Sequence, residues 1–328
     1  MDRPRAVAEL RRVVARFAGD HAAGSDRWCV ALSGGPDSLA LTAAAAEVLP
    51  TTALIVDHGL QPGSASVATT ARDQALALGC VAAEVLRVDV GTTGGPEAAA
   101  RSARYRALEA ARGGAPVLLA HTLDDQAETV LLGLGRGSGA RSIAGMKPYD
   151  PPWCRPLLGV RRDLTHLVCA ELGLSAWQDP HNSDRRFTRV RLRGEVLPLL
   201  EDVLGGGVAE ALARTATALR EDTDTLDGMA ADALSGIVEV GDVPTTSIAP
   251  LPTAALAPLP DAVRRRVIRG WLLAGGAVGL TDVQLRAVDA LVTAWRGQGG
   301  VAVPGAAPRM RLFAGRRKDM LVLYREAV

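Results

Sequence analysis

RWCVALSGGPDSLAL, residues 27–41, decides how the rest of the chain is read. Trp28 to Leu32 is a short apolar run that predicts a buried strand, and the small apolar residues from Pro36 onward predict a helix. Between them lies Ser33-Gly34-Gly35-Pro36-Asp37-Ser38. Glycine lets the backbone approach an anion closely, proline is favoured in a first helical turn, and a helix start offers unpaired N–H groups of positive partial charge. The stretch therefore predicts a phosphate cradle in which Ser33 and Ser38 donate hydroxyl hydrogen bonds to phosphate oxygens. Asp37 would repel such a phosphate without a cation between them, which implies Mg²⁺ held at Asp37. A plain Gly-Pro turn needs neither the two serines nor the aspartate. The loop lacks the GxxxxGK[ST] pattern and its lysine, which argues against an ordinary Walker nucleotide hydrolase.

Outward from the loop, short apolar runs alternate with helical stretches. Strands are predicted at Trp28 to Leu32, Thr52 to Asp57, Val81 to Val88 and Val117 to Ala120, with helices starting near Pro36, Ser64, Pro96 and Asp124. Such a β-α-β-α run predicts an α/β fold, a parallel sheet with helices on both faces. Ligands of these sheets sit beyond the carboxyl ends of the strands, where the strand order reverses. Asp57 and His58 follow the second strand and His121 to Glu128 the fourth, so both groups can meet the loop in one crevice.

The chain has 328 residues, enough for two domains, since a single core rarely grows past roughly 250 to 300. A hydrophobic share of 48 % with 37 basic against 36 acidic residues excludes a disordered chain. No apolar run reaches the ~18 residues of a membrane span. Met1 to Phe17 places Val7, Leu10, Val13, Val14 and Phe17 at helical spacing among arginines, but Asp2 and Glu9 and the lack of an apolar core argue against a targeting peptide. Cys29, Cys80, Cys154 and Cys169 form no CxxC pair, so neither zinc nor a disulfide framework is predicted, and a reducing cytoplasm fits. Beyond about Leu200 the Gly205-Gly206-Gly207 run and the Pro-rich segment Pro244 to Pro260 mark a change of texture. Helical stretches at Arg214 to Asp232, Asp261 to Ala274 and Thr281 to Trp295, then short apolar pieces from Val301 to Tyr324, predict a smaller, mainly helical second domain with a β tail. The expected division is 1–205 and 206–328.

Further motifs follow the loop in order: Ile55-Val56-Asp57-His58-Gly59-Leu60, Ala100-Arg101-Ser102-Ala103-Arg104-Tyr105, His121-Thr122-Leu123-Asp124-Asp125-Gln126-Ala127-Glu128, Arg136-Gly137-Ser138-Gly139, Arg155-Pro156-Leu157-Leu158, Trp177-Gln178-Asp179-Pro180, and Arg189-Val190-Arg191-Leu192-Arg193. The SGGxDS loop resembles that of the PP-loop ATP pyrophosphatases, whose fold is Rossmann-like. The ordered set over residues 25 to 200 resembles the tRNA(Ile)-lysidine synthase family. Two positions depart from its pattern: Gln61 stands where the family usually has arginine, and Val190 where it usually has asparagine.

The resemblance implies an ATP-dependent ligase that adenylates the C2 oxygen of the first anticodon cytidine (cytidine 34) in a tRNA(Ile) with a CAU anticodon. The side-chain amine of free L-lysine then displaces AMP. It implies ATP binding at Ser33, Gly34, Gly35, Pro36, Asp37, Ser38, Val56, His58 and Arg104, and catalytic roles for Asp37, Arg101, His121 and Asp125. It implies lysine binding at Asp125 and Glu128, which lie three apart on one helix face, and tRNA contacts at Arg136, Arg189 and Arg193. By the same resemblance the C-terminal part, with basic stretches near Arg264 and from Arg309 to Lys318, helps hold the tRNA. A homodimer is compatible with this reading. Two other classes compete: a PP-loop tRNA thiolase, which in its usual form wants paired cysteines, and a nucleotide- or RNA-binding protein without catalysis. A helix-capping role for Asp124 and Asp125 is the bland reading of those acids.

Overall fold

Trp28, Val30 and Leu32 pack into one apolar core while Cys29 and Ala31 pack into another, so the first strand buries both of its faces. The second strand repeats this, with Ala53 and Ile55 on one side and Leu54 on the other. Side chains alternate along a strand, and a strand sandwiched between helix layers must be apolar at every position. That is why these runs are continuous.

The computed structural model describes residues 5–21, 24–59, 61, 63–91, 95–137, 139–239, 249–305 and 310–327. Leu60, Ser138, Arg309 and the start of the Pro-rich segment at Pro244 lie outside them. The chain divides into two compact units, 1–138 with 142–217, and 139–141 with 218–328.

In the first unit the elements run α1 Arg5–His21, β1 Trp28–Ala31, α2 Pro36–Ala46, β2 Thr51–Asp57, α3 Ser64–Ala77, β3 Ala82–Arg87, α4 Pro96–Ala111, β4 Val117–Leu118 and α5 Leu123–Gly135. Then come a short α6 Gly139–Ile143 at the division between the units, the pair β5 Tyr149–Asp150 and β6 Trp153–Cys154, α7 Arg162–Glu171, α8 Thr188–Arg191 and α9 Leu197–Leu204. The sheet order is β3-β2-β1-β4-β6-β5, parallel except for β5 on β6. The chain steps from β1 to β2 on one side and returns to β4 on the other. The crevice between the ends of β1 and β4 is thus the switch point, and the loops after both strands open into it. Helices α1, α2, α3 and α7 share one core, and Leu108 of α4 lies in the opposite one.

The long α10, Val208–Glu239, runs from the first unit into the second. The second unit continues with β7 Leu251–Pro252, α11 Thr253–Leu256, α12 Asp261–Ala274, α13 Asp282–Thr293, β8 Val301–Val303, β9 Met310–Arg317 and β10 Met320–Ala327. Its antiparallel sheet, ordered β7-β10-β9-β8, packs Leu312, Ala314 and Leu321 with Val267, Trp271 and Leu291 of the helices. Among the described residues no helix is long and apolar enough to cross a membrane.

The basic stretch of α12 is not a free positive face. Arg264 is buried, its Nε donating to Asp289 Oδ1 at 2.6 Å and its Nη2 to Asp261 Oδ1 at 2.7 Å, while Arg266 Nε donates to Asp227 at 2.9 Å. Removing one partner of a buried ion pair strands the other charge. Arg264→Met is therefore expected to destabilise the second unit by about 3 kcal/mol, read by urea unfolding with amide exchange along α12 and α13. A loss under about 1 kcal/mol, the range of an exposed pair, would contradict this.

Candidate active site

The turn from β1 into α2 is fixed by backbone. Leu32 N–H donates to Leu54 C=O at 2.9 Å, and Gly34 C=O accepts from Trp177 N–H at 2.9 Å. Gly34 has φ +82°, a left-handed conformation that a side chain would strain. Gly35 caps α2 in an extended conformation without a side-chain cap bond, and Pro36 opens the helix. Ser38 Oγ donates to Gly35 C=O at 2.9 Å and accepts from Ser33 N–H at 3.2 Å, and the two serine hydroxyls lie 3.1 Å apart. Two hydroxyls and a helix N-terminus thus face one point.

Beside the loop, a cavity of about 420 Å³ opens over the ends of β1 and β2, lined among others by Ser33, Val56, His58, Arg104 and Trp177. Asp57 at its edge is held below the usual carboxylate range by the Ser64 hydroxyl and by Gly59 N–H, the latter at 3.0 Å. Nδ1 of His58 and Nδ1 of His121 are buried without a hydrogen-bond partner. Burial and the Arg104 cation lower His58 from its ordinary value. His121 is pushed down to about 4, chiefly by burial and further by Arg155, Arg104 and Arg101, against the opposing pull of Asp125. Both imidazoles are therefore neutral near pH 7. Arg104 has no ion-pair partner among the described residues, so the cavity wall carries an uncompensated cation.

Across the crevice, α5 begins with a capping box. Thr122 N–H donates to Asp125 Oδ2 at 2.8 Å, and Asp125 N–H donates back to Thr122 Oγ1 at 3.4 Å. The cap uses Oδ2 and leaves Oδ1 to Arg162, whose Nη2 donates to it at 2.8 Å. Capping and cation binding are thus split between the two oxygens of one carboxylate. Glu128, one turn on, is fully buried, and Arg193 Nε donates to its Oε1 at 2.7 Å. Burial raises Glu128 above the usual carboxylate range against the pull of Arg193. For Asp125 burial also opposes ionisation, but Arg162 and Thr122 N–H prevail and hold it low.

These features can be set beside known proteins. A model for a PP-loop domain matches residues 6–200, and one for a TilS substrate binding domain matches residues 251–317. A tRNA(Ile)-lysidine synthase of Mycobacterium tuberculosis is 73 % identical over 100 % of both chains, and one of Nocardia farcinica is 62 % identical over 97 % of this chain and 98 % of the other. The chain belongs to the tRNA(Ile)-lysidine synthase family. A solved U34-tRNA thiolase, NcsA from Methanococcus maripaludis, shares the fold with TM-score 0.54 and 20 % identity, over 66 % of this chain and 80 % of that one.

Against the family's motifs, the structure brings Asp37, Asp125 and Glu128 together, and puts Ser33, Val56, His58 and Arg104 around the cavity. It directs Arg189 and Arg193 inward: Arg193 lies on Glu128, and Arg189 Nη2 donates to Thr129 Oγ1 at 3.2 Å. Arg101 is exposed, its guanidinium 5.0 Å from the Tyr105 ring centre, and Arg136 is exposed at the end of α5. At the two positions that depart from the family pattern, Gln61 Nε2 donates to Asp179 Oδ1 at 3.2 Å and also meets His181 Nδ1, and Val190 is half-buried. The residues that reading the sequence missed are Arg162 and Thr165. Thr165 donates its hydroxyl to Asp37 Oδ1, and Arg162 Nε donates to Asp37 Oδ2 at 3.3 Å. Burial nevertheless raises Asp37 above the usual carboxylate range. The only signal for either residue was position, a few residues after the family's Arg155-Pro156-Leu157-Leu158 motif.

The depressed His121 gives a pH test. The unfolded chain takes up this proton near pH 6.5 and the folded one only near 4, so stability is lost as pH falls through that window. His121→Gln removes the loss, and wild type should drop by roughly 2–3 kcal/mol more than the variant between those limits, measured by urea unfolding. Equal losses would show the imidazole to be unperturbed.

Proposed function

We propose that this chain uses ATP to activate an RNA base and joins free lysine to it: the C2 oxygen of cytidine 34 in a tRNA(Ile) bearing CAU attacks the α-phosphorus. Pyrophosphate leaves, the lysine amine attacks C2, and AMP departs with the original oxygen. The relatives' name and the two matched domains support the tRNA and ATP parts. One structural observation carries the rest. The carboxylate of the phosphate loop and the acid pair of α5 meet on one guanidinium, which supports reading a phosphate cradle and an ammonium site in one crevice.

The roles follow from the local chemistry. Ser33, Ser38 and the N–H groups around Gly34, Gly35 and Pro36 receive the outer two phosphates, where developing charge on the leaving group is greatest. Val56 and His58 line the nucleoside cavity, and Arg104 and Arg101 supply cations to the transferring phosphoryl group. His121, neutral, can donate a hydrogen bond to a phosphate oxygen without adding charge. Asp37 would hold a Mg²⁺ ion through the lone pairs that Arg162 and Thr165 leave free, since each of its oxygens already accepts one donor, and the ion would complete its shell with phosphate oxygens and water. The described residues hold no group of three ligating side chains, so such an ion would depend on the nucleotide's own oxygens. Bound there, Mg²⁺ would neutralise phosphate charge.

Asp125 and Glu128 receive the ammonium of lysine, and one of these carboxylates, or a water they orient, takes the proton that the amine, with a pKa of ~10.4, must lose before it attacks. Arg136, exposed, reaches an RNA phosphate directly, Arg189 and Arg193 do so by exchanging their contacts with Thr129 and Glu128 for phosphate, and residues 206–328 help hold the tRNA. Thiolase chemistry finds no support. All four cysteines are buried, and burial pushes Cys80, Cys154 and Cys169 up to about 11. Four free thiols suit the reducing cytoplasm.

The test is an assay with labelled lysine, ATP and an isoleucine tRNA transcript with anticodon CAU. Lysine should be incorporated with one AMP and one pyrophosphate each, and not when the first anticodon base is uridine. Release of ADP, or incorporation that ignores the base, would overturn the reading. Asp125→Asn, which keeps an oxygen for the cap, should weaken lysine binding by about tenfold or more, or 1.4 kcal/mol, with ATP affinity within about twofold.

A further inference from the structure

Helix α7 begins with Arg162, and its first turn grips carboxylates from two other helices. Arg162 Nε donates to Asp37 Oδ2 of α2 at 3.3 Å, Nη2 donates to Asp125 Oδ1 of α5 at 2.8 Å, and Nη1 lies 3.7 Å from Glu128 Oε1. The backbone N–H of Arg162 donates to Asp124 Oδ2 at 2.8 Å, and Thr165 takes the second oxygen of Asp37. Only 16 % of the Arg162 side chain is exposed, against 36 % for Arg193 and 44 % for Arg189. Those two come from the segment that carries the late arginine motif. Arg162 is therefore the fixed cation of the cluster and the only one among the described residues that reaches all three acids.

We propose that Arg162 is a positioning residue that joins the phosphate-loop carboxylate Asp37 to the acid pair Asp125 and Glu128, so that base activation and amine attack happen in register. The inference rests on the reading given under Proposed function and deepens it. A planar guanidinium with its donors in a fixed fork sets the spacing of three oxygens at once, which a lysine at the same place would not do. It also sets the charge of the amine's pocket. Two acids left without it would hold the incoming amine more firmly as ammonium, the form that cannot attack. The adenylated base would then meet water first. Water adds at C2, the bond from C2 to the AMP oxygen breaks, and cytidine, AMP and a proton result, so ATP is consumed without transfer.

The experiment compares wild type with Arg162→Gln, Arg162→Lys and Thr165→Val, measuring pyrophosphate released per lysidine formed and, separately, lysine binding by calorimetry without nucleotide. Wild type should give a ratio near one. Arg162→Gln should raise the ratio to about three or more while binding lysine as tightly as wild type or tighter, because a competing cation is gone. Arg162→Lys, which keeps the charge but not the fork, should fall between. Thr165→Val removes the hydroxyl that meets Asp37 and the Arg162 carbonyl but keeps the Arg162 guanidinium on all three acids, and should slow pyrophosphate release with the ratio still near one. A residue that merely shapes the fold would lower both products together and weaken lysine binding. A ratio that stays near one in Arg162→Gln, or a loss of lysine affinity beyond about fivefold, overturns the proposal. If wild type itself forms no lysidine, the functional reading fails instead.

Discussion

Three carboxylates from two helices, Asp37, Asp125 and Glu128, crowd one crevice, and they can do so only because a guanidinium lies among them. An ionised carboxylate taken out of water without a partner costs several kcal/mol, and three together would repel each other as well. Arg162 meets that constraint from the first turn of a helix whose own N-terminus favours negative charge. The arrangement of α2, α5 and α7 follows: each must present its first turn to the same point.

The parallel sheet makes this convergence available. Because β1 feeds α2 and β4 feeds α5 across the switch point, the phosphate loop and the acid pair are neighbours although nearly ninety residues separate them in sequence. The two sides then differ in charge. The cavity side offers hydroxyls, helix N–H groups, neutral imidazoles and the unpaired cation of Arg104, all suited to a polyphosphate. The opposite side offers carboxylates already balanced by guanidinium groups, suited to an amine that must bind as a cation and react as a base.

Much of this was legible in the residues. The strand, loop and helix around Ser33 to Ser38, the second strand ending at Asp57, and α12 at Asp261 to Ala274 follow from apolar patterning, Gly and Pro placement and capping, all of them local signals. Thr281 capping α13 is another, since the Thr and Gln of a capping box are three residues apart. The candidate acids Asp125 and Glu128 were legible by motif. What paired with them was not. Arg162 meets Asp37 across 125 residues, and Arg193 meets Glu128 across 65, with no periodicity to announce either. The same blindness hid the fate of Arg264, which reads as part of a basic face and is buried on Asp289. Charge runs record composition along the chain, while ion pairs are set by packing between elements.

Oxygen tracing tests the central claim most directly. With the C2 oxygen of the first anticodon cytidine replaced by oxygen-18, transfer of AMP to the base followed by amine attack at C2 requires the heavy oxygen to leave in AMP. The account predicts one heavy oxygen per AMP formed and none in pyrophosphate. Unlabelled AMP alongside lysine-bearing tRNA would mean that the base oxygen is never adenylated, and the account would be wrong.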